Sequence, residues 1–259
     1  RVPDLRAVTA RPPVARAATV SPRSDLILTN DIGGFTRDGR EYVVTLARGR
    51  ATPAPWVNVI ANPHFGTVIS ESGSAYTWHE NAHEFRLTPW CNDPVTDASE
   101  EAIYLRDEDS GHYWSPTALP CPGNARYLTR HGFGYSLFEH DEDGIRTELR
   151  VYVALEAPIK FSQLLVRNTS NRPRRLSITG YVGWVLGELR SQSSMHIVTD
   201  ADRTELFDLH PCAPVRRKAE AVGADDHTRV DDAARAQRTT LPDRDLRMQS
   251  AALPHGDTA

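Results

Sequence analysis

The sequence predicts an all-β fold, and three observations support that prediction. Polar and apolar residues alternate with a period of two, most clearly in Ile145–Val153, where five of nine side chains form an apolar face. Breaks between such runs contain Gly, Pro, Asn or Asp. No long stretch with a period of 3.6 separates them. Antiparallel sheets with few helices are therefore expected, stacked as a sandwich or rolled into a barrel.

Each predicted strand is a short run with this alternation. The runs cover residues 25–29, 41–46, 57–61, 67–70, 75–78, 102–106, 126–129, 134–140, 145–153, 160–167 and 174–186. An acidic turn at residues 141–144 is expected to join two of them as a hairpin. Residues 182–189 fit a strand or a helix, because their glycines weaken both patterns.

The distribution of aromatic residues predicts the domain boundaries. Every Phe, Trp and Tyr lies between Phe35 and Phe207, and aromatic side chains supply much of the area that a core buries. The ends are rich in charge, Ala and Pro without a sustained period. We therefore expect a flexible segment over residues 1–24, a β-sandwich domain over 25–205, and an irregular, poorly packed tail over 206–259.

Composition argues against several classes of partner. The 259-residue chain has a net charge of −4, and its basic residues are scattered among acidic ones, which disfavours nucleic acid. No apolar stretch is long enough to span a bilayer. The three cysteines are widely spaced, as expected in a reducing compartment such as the cytoplasm.

No cofactor or metal site is predicted. The glycines at residues 33–34 and 132–134 lack the spacing of a phosphate-binding loop. His79 and His83 stand four apart, but the preceding residues 73–78 have the pattern of a turn and strand, where that spacing does not bring two ligands together. The acidic residues 139–143 are interpreted as a charged hairpin tip rather than paired catalytic carboxylates.

One group of segments has the composition of a carbohydrate site. Residues 86–97 form a proline-punctuated loop in which Trp90 is followed by Asn92 and Asp93, and Trp114 lies in a second aromatic segment, residues 113–116. Sugars offer CH faces to aromatic rings and hydroxyls to amides and carboxylates. The alternative interpretation is that these aromatics belong to the core and that the polar residues cap it.

These segments also carry a family resemblance. The motifs, in order, are NDIGGFTRDGREYVV (30–44), TPAPWVNVIANPHFGTVISESGSAYTW (52–78), RLTPWCNDPVTD (86–97), EAIYLRDEDSGHYWSP (101–116), RHGFGYSLFEH (130–140) and RPRRLSITGYVGWVLGELR (172–190). They resemble the N-terminal sandwich domain of glycoside phosphorylases of the cellobiose phosphorylase type, and within that type the phosphorylase-like region of cyclic β-1,2-glucan synthases. The resemblance runs from residue 25 to about residue 200.

The resemblance implies a large antiparallel two-sheet sandwich of the supersandwich type, with a carbohydrate-binding-like fold. In such enzymes a helical linker and an (α/α)6 barrel follow, and the barrel holds the catalytic groups. Because the pattern is lost after residue 200, we expect a chain truncated before the barrel and inactive alone. Loops of the sandwich approach the barrel, in some cases that of a second subunit, to shape the acceptor site. The matching loop runs from Trp90 to Asp97 and includes Asn92 and Asp93, and the neighbours expected for it are Arg130, His131 and Tyr135.

The resulting hypothesis is a non-catalytic carbohydrate-binding and assembly domain that contacts β-glucan or a glucose-type acceptor weakly. A cytoplasmic location is expected, with the parent synthase tethered to the inner membrane. Two alternatives stay open: a structural remnant that binds no sugar, and an active glycosyl-transferring phosphorylase.

Overall fold

The described part of the chain consists of antiparallel strands joined by loops, with very little helix, which confirms the all-β prediction. The computed structural model describes residues 25–202 and four later strands, Arg216–Ala221, Arg229–Asp232, Gln237–Leu241 and Leu246–His255. The segment 1–24, expected to be flexible, lies outside the described residues.

The strands are numbered in chain order. They are β1 Leu26–Ile27, β2 Gly33–Thr36, β3 Glu41–Leu46, β4 Val57–Ala61, β5 Phe65–Ser70, β6 Ala75–His79, β7 Glu101–Asp107, β8 Tyr113–Trp114, β9 Tyr127–Gly132, β10 Tyr135–Glu142, β11 Ile145–Val153, β12 Lys160–Asn168, β13 Arg174–Val182, β14 Ile197–Asp202, β15 Arg216–Ala221, β16 Arg229–Asp232, β17 Gln237–Leu241 and β18 Leu246–His255. Between β13 and β14 lie a short helix, α1 Arg190–Ser193, and a 3₁₀ helix, Ser194–His196. Within the described part of the chain, no helix has the length and apolarity to cross a membrane.

Three sheets share one hydrophobic core. The large sheet has the order β1-β2-β3-β9-β10-β11-β12-β18-β16-β15-β14, and the smaller sheets are β17-β13-β7-β8 and β4-β5-β6. Buried residues from all three meet in one cluster, including Phe138 and Leu164 of the large sheet, Leu105 and Ile178 of the four-stranded sheet, and Ile69 of the three-stranded sheet. The predicted sandwich is therefore built from one large sheet and two smaller ones instead of two sheets.

Strand β11 shows how the alternating sequence produces this packing. Its odd-numbered residues from Ile145 to Val153 are buried, and its even-numbered ones are more exposed. Strand β12 pairs with it along its whole length, and β10 pairs with it from Ile145 to Tyr152. Because side chains alternate across a strand, one face of β11 enters the core and the other faces outward.

The hairpin between β10 and β11 is tighter than the sequence predicts. Only Asp143 and Gly144 form the turn, with φ of 49° and 76°, as a two-residue type I′ turn requires. Glu142, predicted in the turn, pairs with Ile145 as the last residue of β10 and is only 2% exposed. The prediction failed because a charged residue was expected at the surface. The Glu142 carboxylate is instead buried, and it accepts hydrogen bonds from His112 and Asn124 that compensate for the lost water.

Residues 183–189 form neither a strand nor a helix, the two structures that the sequence pattern allows. The backbone N–H of Val185 donates to the carbonyl of Leu87 at 2.9 Å, and that of Gly187 donates to the carbonyl of Arg86 at 2.9 Å. This segment is held by bonds to the loop after β6, a long-range contact that local periodicity does not encode.

Within residues 206–259, for which the sequence predicts an irregular tail, the structure describes four strands. Strands β15, β16 and β18 continue the large sheet beyond β12, and β17 adds to β13. Backbone N–H and C=O groups pair without a need for apolar side chains, so a weak hydrophobic pattern does not preclude a ladder. The domain boundary at residue 205 stays a prediction.

Candidate functional site

The outer face of the three-stranded sheet carries two aromatic side chains of β6. Ala75 and Thr77 point into the core, at 5% and 2% exposed, so the alternation directs Tyr76 and Trp78 to the opposite face, where both are half-buried. In the register of the sheet, Tyr76 stands beside Val68 of β5, and Trp78 beside Gly66.

The Trp78 indole packs closely against Gly66, which has no side chain. A Cβ at residue 66 would stand 2.3 Å from Cζ2 of Trp78 and 2.8 Å from the Ala61 Cβ. Glycine inside a strand commonly marks such a close approach. The indole therefore occupies the space that a side chain at residue 66 would take.

The loop after β6 returns the chain and adds a third ring. The Asn81 side-chain oxygen accepts from the N–H groups of His83 and Glu84, which tightens the turn. The N–H of Leu87 then donates to the carbonyl of Thr77 at 2.8 Å. This pairing aligns the returning segment with β6 and leads to Trp90, three residues further on.

Tyr76 contacts both tryptophans. Its ring centroid is 4.9 Å from that of Trp90 and 5.3 Å from that of Trp78, with interplanar angles of 51° and 34°. Trp90 is 37% exposed. We call Tyr76, Trp78 and Trp90 the aromatic platform. Burial raises the pKa of Tyr76, outweighing the opposite effect of Arg86, so its hydroxyl is a neutral donor and acceptor near neutral pH.

Arg86 supplies hydrogen-bond donors next to the platform. Its Cζ stands 6.0 Å from the centroid of the Tyr76 ring, at the limit of a cation–π contact. Nε donates to the carbonyl of Ala82 and Nη1 to that of Glu188. A guanidinium has five N–H donors, so most of them have no protein acceptor among the described residues. They can serve the hydroxyls of a ligand.

The loop that follows Trp90 is shaped by two of the predicted site residues. Asp93 accepts from the N–H groups of Val95 and Thr96 and from the Thr96 hydroxyl, and these bonds hold the pKa of its carboxyl low. Asp97 accepts a hydrogen bond from Ser70 at 2.6 Å and another from Ser72. Both aspartates stabilise the fold of the loop, whereas Asn92, two residues after Trp90, is exposed.

Trp114 is separated from the surface. It is 0% exposed, belongs to the main core cluster and stacks on His112 at a centroid distance of 5.4 Å. Its neighbour Tyr113 is 59% exposed. The indole of Trp114 therefore contributes to the core in this structure and does not join the aromatic platform.

The remaining predicted residues lie on the large sheet. Arg130 and the Tyr135 hydroxyl both donate to the carboxylate of Glu41. His131 is on the opposite face of β9, where Nε2 stands 3.1 Å from the Trp56 carbonyl and Nδ1 2.8 Å from the Ser136 hydroxyl. Burial lowers the pKa of His131 to about 4. These three residues are thus held by the protein itself, on other strands than the platform.

The sequence analysis names Trp90 and Asn92 as candidate site residues and includes Arg86 only as the first residue of the loop, and it does not name Tyr76 or Trp78. A signal was present: Tyr76 and Trp78 alternate with the small residues Ala75 and Thr77, and Gly66 interrupts the preceding strand. The histidines considered for metal lie nearby, His79 at the end of β6 and His83 in the loop, where its Nε2 is 3.7 Å from the Glu188 carboxylate.

The sequence matches a known family of domains. The glycosyl hydrolase 94 supersandwich domain family matches residues 40–235, more than half of the chain. The chain therefore belongs to that family, as the resemblance implied.

Similar curated proteins include carbohydrate-active enzymes. Cyclic beta-(1,2)-glucan synthase NdvB of Rhizobium meliloti (strain 1021) is 41% identical over 73% of this chain and 7% of its own length. N,N'-diacetylchitobiose phosphorylase of Vibrio proteolyticus is 32% identical over 63% of this chain and 20% of its own length. 3-O-beta-D-glucopyranosyl-beta-D-glucuronide phosphorylase of Paenibacillus borealis is 29% identical over 56% of this chain and 18% of its own length. The chain thus spans a fifth or less of these relatives.

Proposed function

We propose that this supersandwich domain is a non-catalytic carbohydrate-contacting domain, of the kind found in a cyclic β-1,2-glucan synthase or glycoside phosphorylase. Its ligand is a β-glucan or a glucose-type acceptor. The observation that carries the proposal is the aromatic platform, in which Trp78 is backed by Gly66 and Trp90 is 37% exposed. Aromatic faces bind the CH faces of sugars, while Arg86 and Asn92 offer hydrogen bonds to hydroxyls.

The names of the relatives support this choice of ligand. They describe a β-1,2-glucan synthase and phosphorylases of a chitobiose derivative and of a glucosyl glucuronide. All of these compounds are saccharides with hydroxyl groups on pyranose rings. A surface with stacking rings and an arginine fork suits this shared chemistry.

Among the described residues, one carboxyl group has a raised pKa, and its environment does not suit a general acid. A general acid for glycosidic chemistry needs a raised pKa and access to the substrate. Burial raises the pKa of Glu71, but that residue is 3% exposed and its carboxylate accepts bonds from Thr52 and the Trp56 N–H. Glu71 is thus enclosed by protein and ties the turn after β5 to the segment before β4.

Titration calorimetry with sophorose and short linear β-1,2-gluco-oligosaccharides tests the proposal. We expect weak binding and, for Trp90→Ala, an affinity lower by about tenfold, equivalent to about 1.4 kcal/mol. Tyr113→Ala is the matched control, because it removes an exposed ring on β8. Heats equal to buffer dilution at millimolar sugar, or equal losses in both variants, would contradict the proposal.

A second candidate function is assembly. Beside the platform, β4 exposes Val57 at 46% and Val59 at 59% on the outer face of the sheet. Such adjacent apolar side chains suit contact with another protein surface, such as the helical linker and barrel that the family resemblance implies. Sedimentation velocity of the chain and of Val57→Thr/Val59→Thr tests this candidate: concentration-dependent association without sugar binding would favour it over the first.

A further inference from the structure

The arrangement of the rings constrains the shape of a bound saccharide. Tyr76 contacts both Trp90 and Trp78, with centroid distances of 4.9 and 5.3 Å. These two contacts make the platform wider than one aromatic ring, and a single sugar ring would leave part of it uncovered. Full coverage therefore needs more than one sugar unit.

The tilts between the rings exclude a flat ligand surface. The planes of Tyr76 and Trp78 differ by 34°, and those of Tyr76 and Trp90 by 51°. A rigid planar face, such as the surface of crystalline cellulose, can lie flat on one of these rings but not on all three. A single chain can turn at its glycosidic bonds and follow the change of plane.

Arg86 adds polar recognition beside the middle ring. Its bonds to the carbonyls of Ala82 and Glu188 fix the guanidinium 6.0 Å from the Tyr76 centroid. The N–H groups that remain without a protein acceptor, among the described residues, present a planar fork. Neighbouring hydroxyls of a sugar unit over Tyr76 are suitable acceptors.

We infer that the aromatic platform binds a single soluble oligosaccharide chain that bends between its units, with outer units on Trp78 and Trp90 and the hydroxyls between them on Arg86. This inference rests on the proposed function and narrows its ligand class. It assigns binding roles to Tyr76, Trp78 and Arg86.

A chain-length series provides the test. The full chain is titrated with glucose, sophorose and linear β-1,2-linked tri- to pentasaccharides, and binding is followed by calorimetry and tryptophan fluorescence. We expect Kd to fall by about tenfold between glucose and the trisaccharide and to level off once the platform is covered. No retention on microcrystalline cellulose is expected.

Single-residue variants test which side chains produce the gain in affinity with chain length. Trp78→Ala is expected to abolish the gain in affinity with chain length. Trp78→Phe, which keeps a ring next to Gly66, should retain most of that gain. Arg86→Lys keeps the positive charge but loses the planar set of N–H donors, and it should weaken binding of the trisaccharide by several-fold. Tyr113→Ala is the control. Because Trp78 is packed on Gly66, circular dichroism and urea midpoints verify that each variant is folded.

The outcomes separate this inference from the function on which it rests. Equal affinity for glucose and the trisaccharide, retention on cellulose, or an unchanged chain-length gain in folded Trp78→Ala would overturn the extended-chain inference, although saccharide binding that depends on Trp90 would still support the proposed function. If no saccharide gives a response that Trp90→Ala reduces, both fail.

Discussion

Adjacent residues in this protein have opposite environments, and this limits what the sequence can reveal about the site. Tyr113 is 59% exposed and Trp114 is 0% exposed, although both stand in the same two-residue strand. Alternation indicates that two neighbouring side chains point to opposite faces, but not which face is covered. The sequence therefore allowed Trp114 to be predicted as a sugar contact, whereas the structure places it in the core.

Gly66 shows a signal that the sequence does contain. A glycine within an apolar strand weakens that strand unless another group needs the space. Here the Trp78 indole occupies it. The pairing of Gly66 with Trp78 depends on the register between β5 and β6, so the sequence alone indicates a close approach but not its partner.

His131 provides a prediction on pH. Its pKa is lowered from 6.5 to about 4 by burial, so the unfolded chain takes up a proton at a higher pH than the folded one does. The folded state therefore loses stability as the pH falls from about 6.5 towards 4. Between pH 7 and 4.5 the loss should be about 2 kcal/mol.

His131→Gln removes this titration and retains a side-chain N–H for the Trp56 carbonyl. The pH dependence of its unfolding free energy, measured with urea between pH 7 and 4.5, should be shallower than that of the parent by about 2 kcal/mol. His64→Gln is the control, because His64 is 68% exposed. A His131→Gln curve parallel to the parent curve would refute the assignment.

At the scale of elements, one lysine joins all three sheets. Lys160 of β12 donates to Thr67 of β5 and to Thr77 of β6, both at 3.1 Å, and pairs with Glu101 of β7. The Lys160 side chain is 6% exposed and that of Glu101 17%. Burial raises the pKa of Glu101, but the ammonium group and the Thr77 and Thr88 hydroxyls outweigh this and leave it lowered.

Removing that lysine should destabilise the fold. Lys160→Met leaves the Glu101 carboxylate buried without its cation, and we expect a loss of about 3–5 kcal/mol in the free energy of unfolding. Adding Glu101→Gln should recover part of the loss, because the buried charge is then absent. Chemical denaturation measures both variants. A cost below about 1 kcal/mol for Lys160→Met, or no recovery in the double variant, would argue against this junction.

Strand bounds were predictable where local alternation alone determines them. Glu41–Leu46, Val57–Ala61 and Ile145–Val153 agree with the sequence prediction. The segment 183–189 was not predictable, because its bonds go to Arg86 and Leu87, about a hundred residues earlier in the chain. Long-range pairing of this kind leaves no periodic trace in either partner.

For the whole molecule, the sequence indicated the class of fold but not the division into sheets. Period-two segments identify strands, whereas the number of sheets depends on which strands exchange hydrogen bonds. Here β7 pairs with β13 and β3 with β9, across long stretches of chain. The family resemblance supplied the sandwich architecture, and the match over residues 40–235 supports it.

The central claim is that the aromatic platform contacts saccharide, and the indole N–H signals of the tryptophans test it most directly. In ¹H–¹⁵N spectra of the full chain titrated with a β-1,2-linked trisaccharide, the signals of Trp78 and Trp90 should shift progressively. Those of Trp114 and Trp184, which are 0% and 7% exposed, should stay in place. Unchanged Trp78 and Trp90 signals at millimolar sugar would contradict the account.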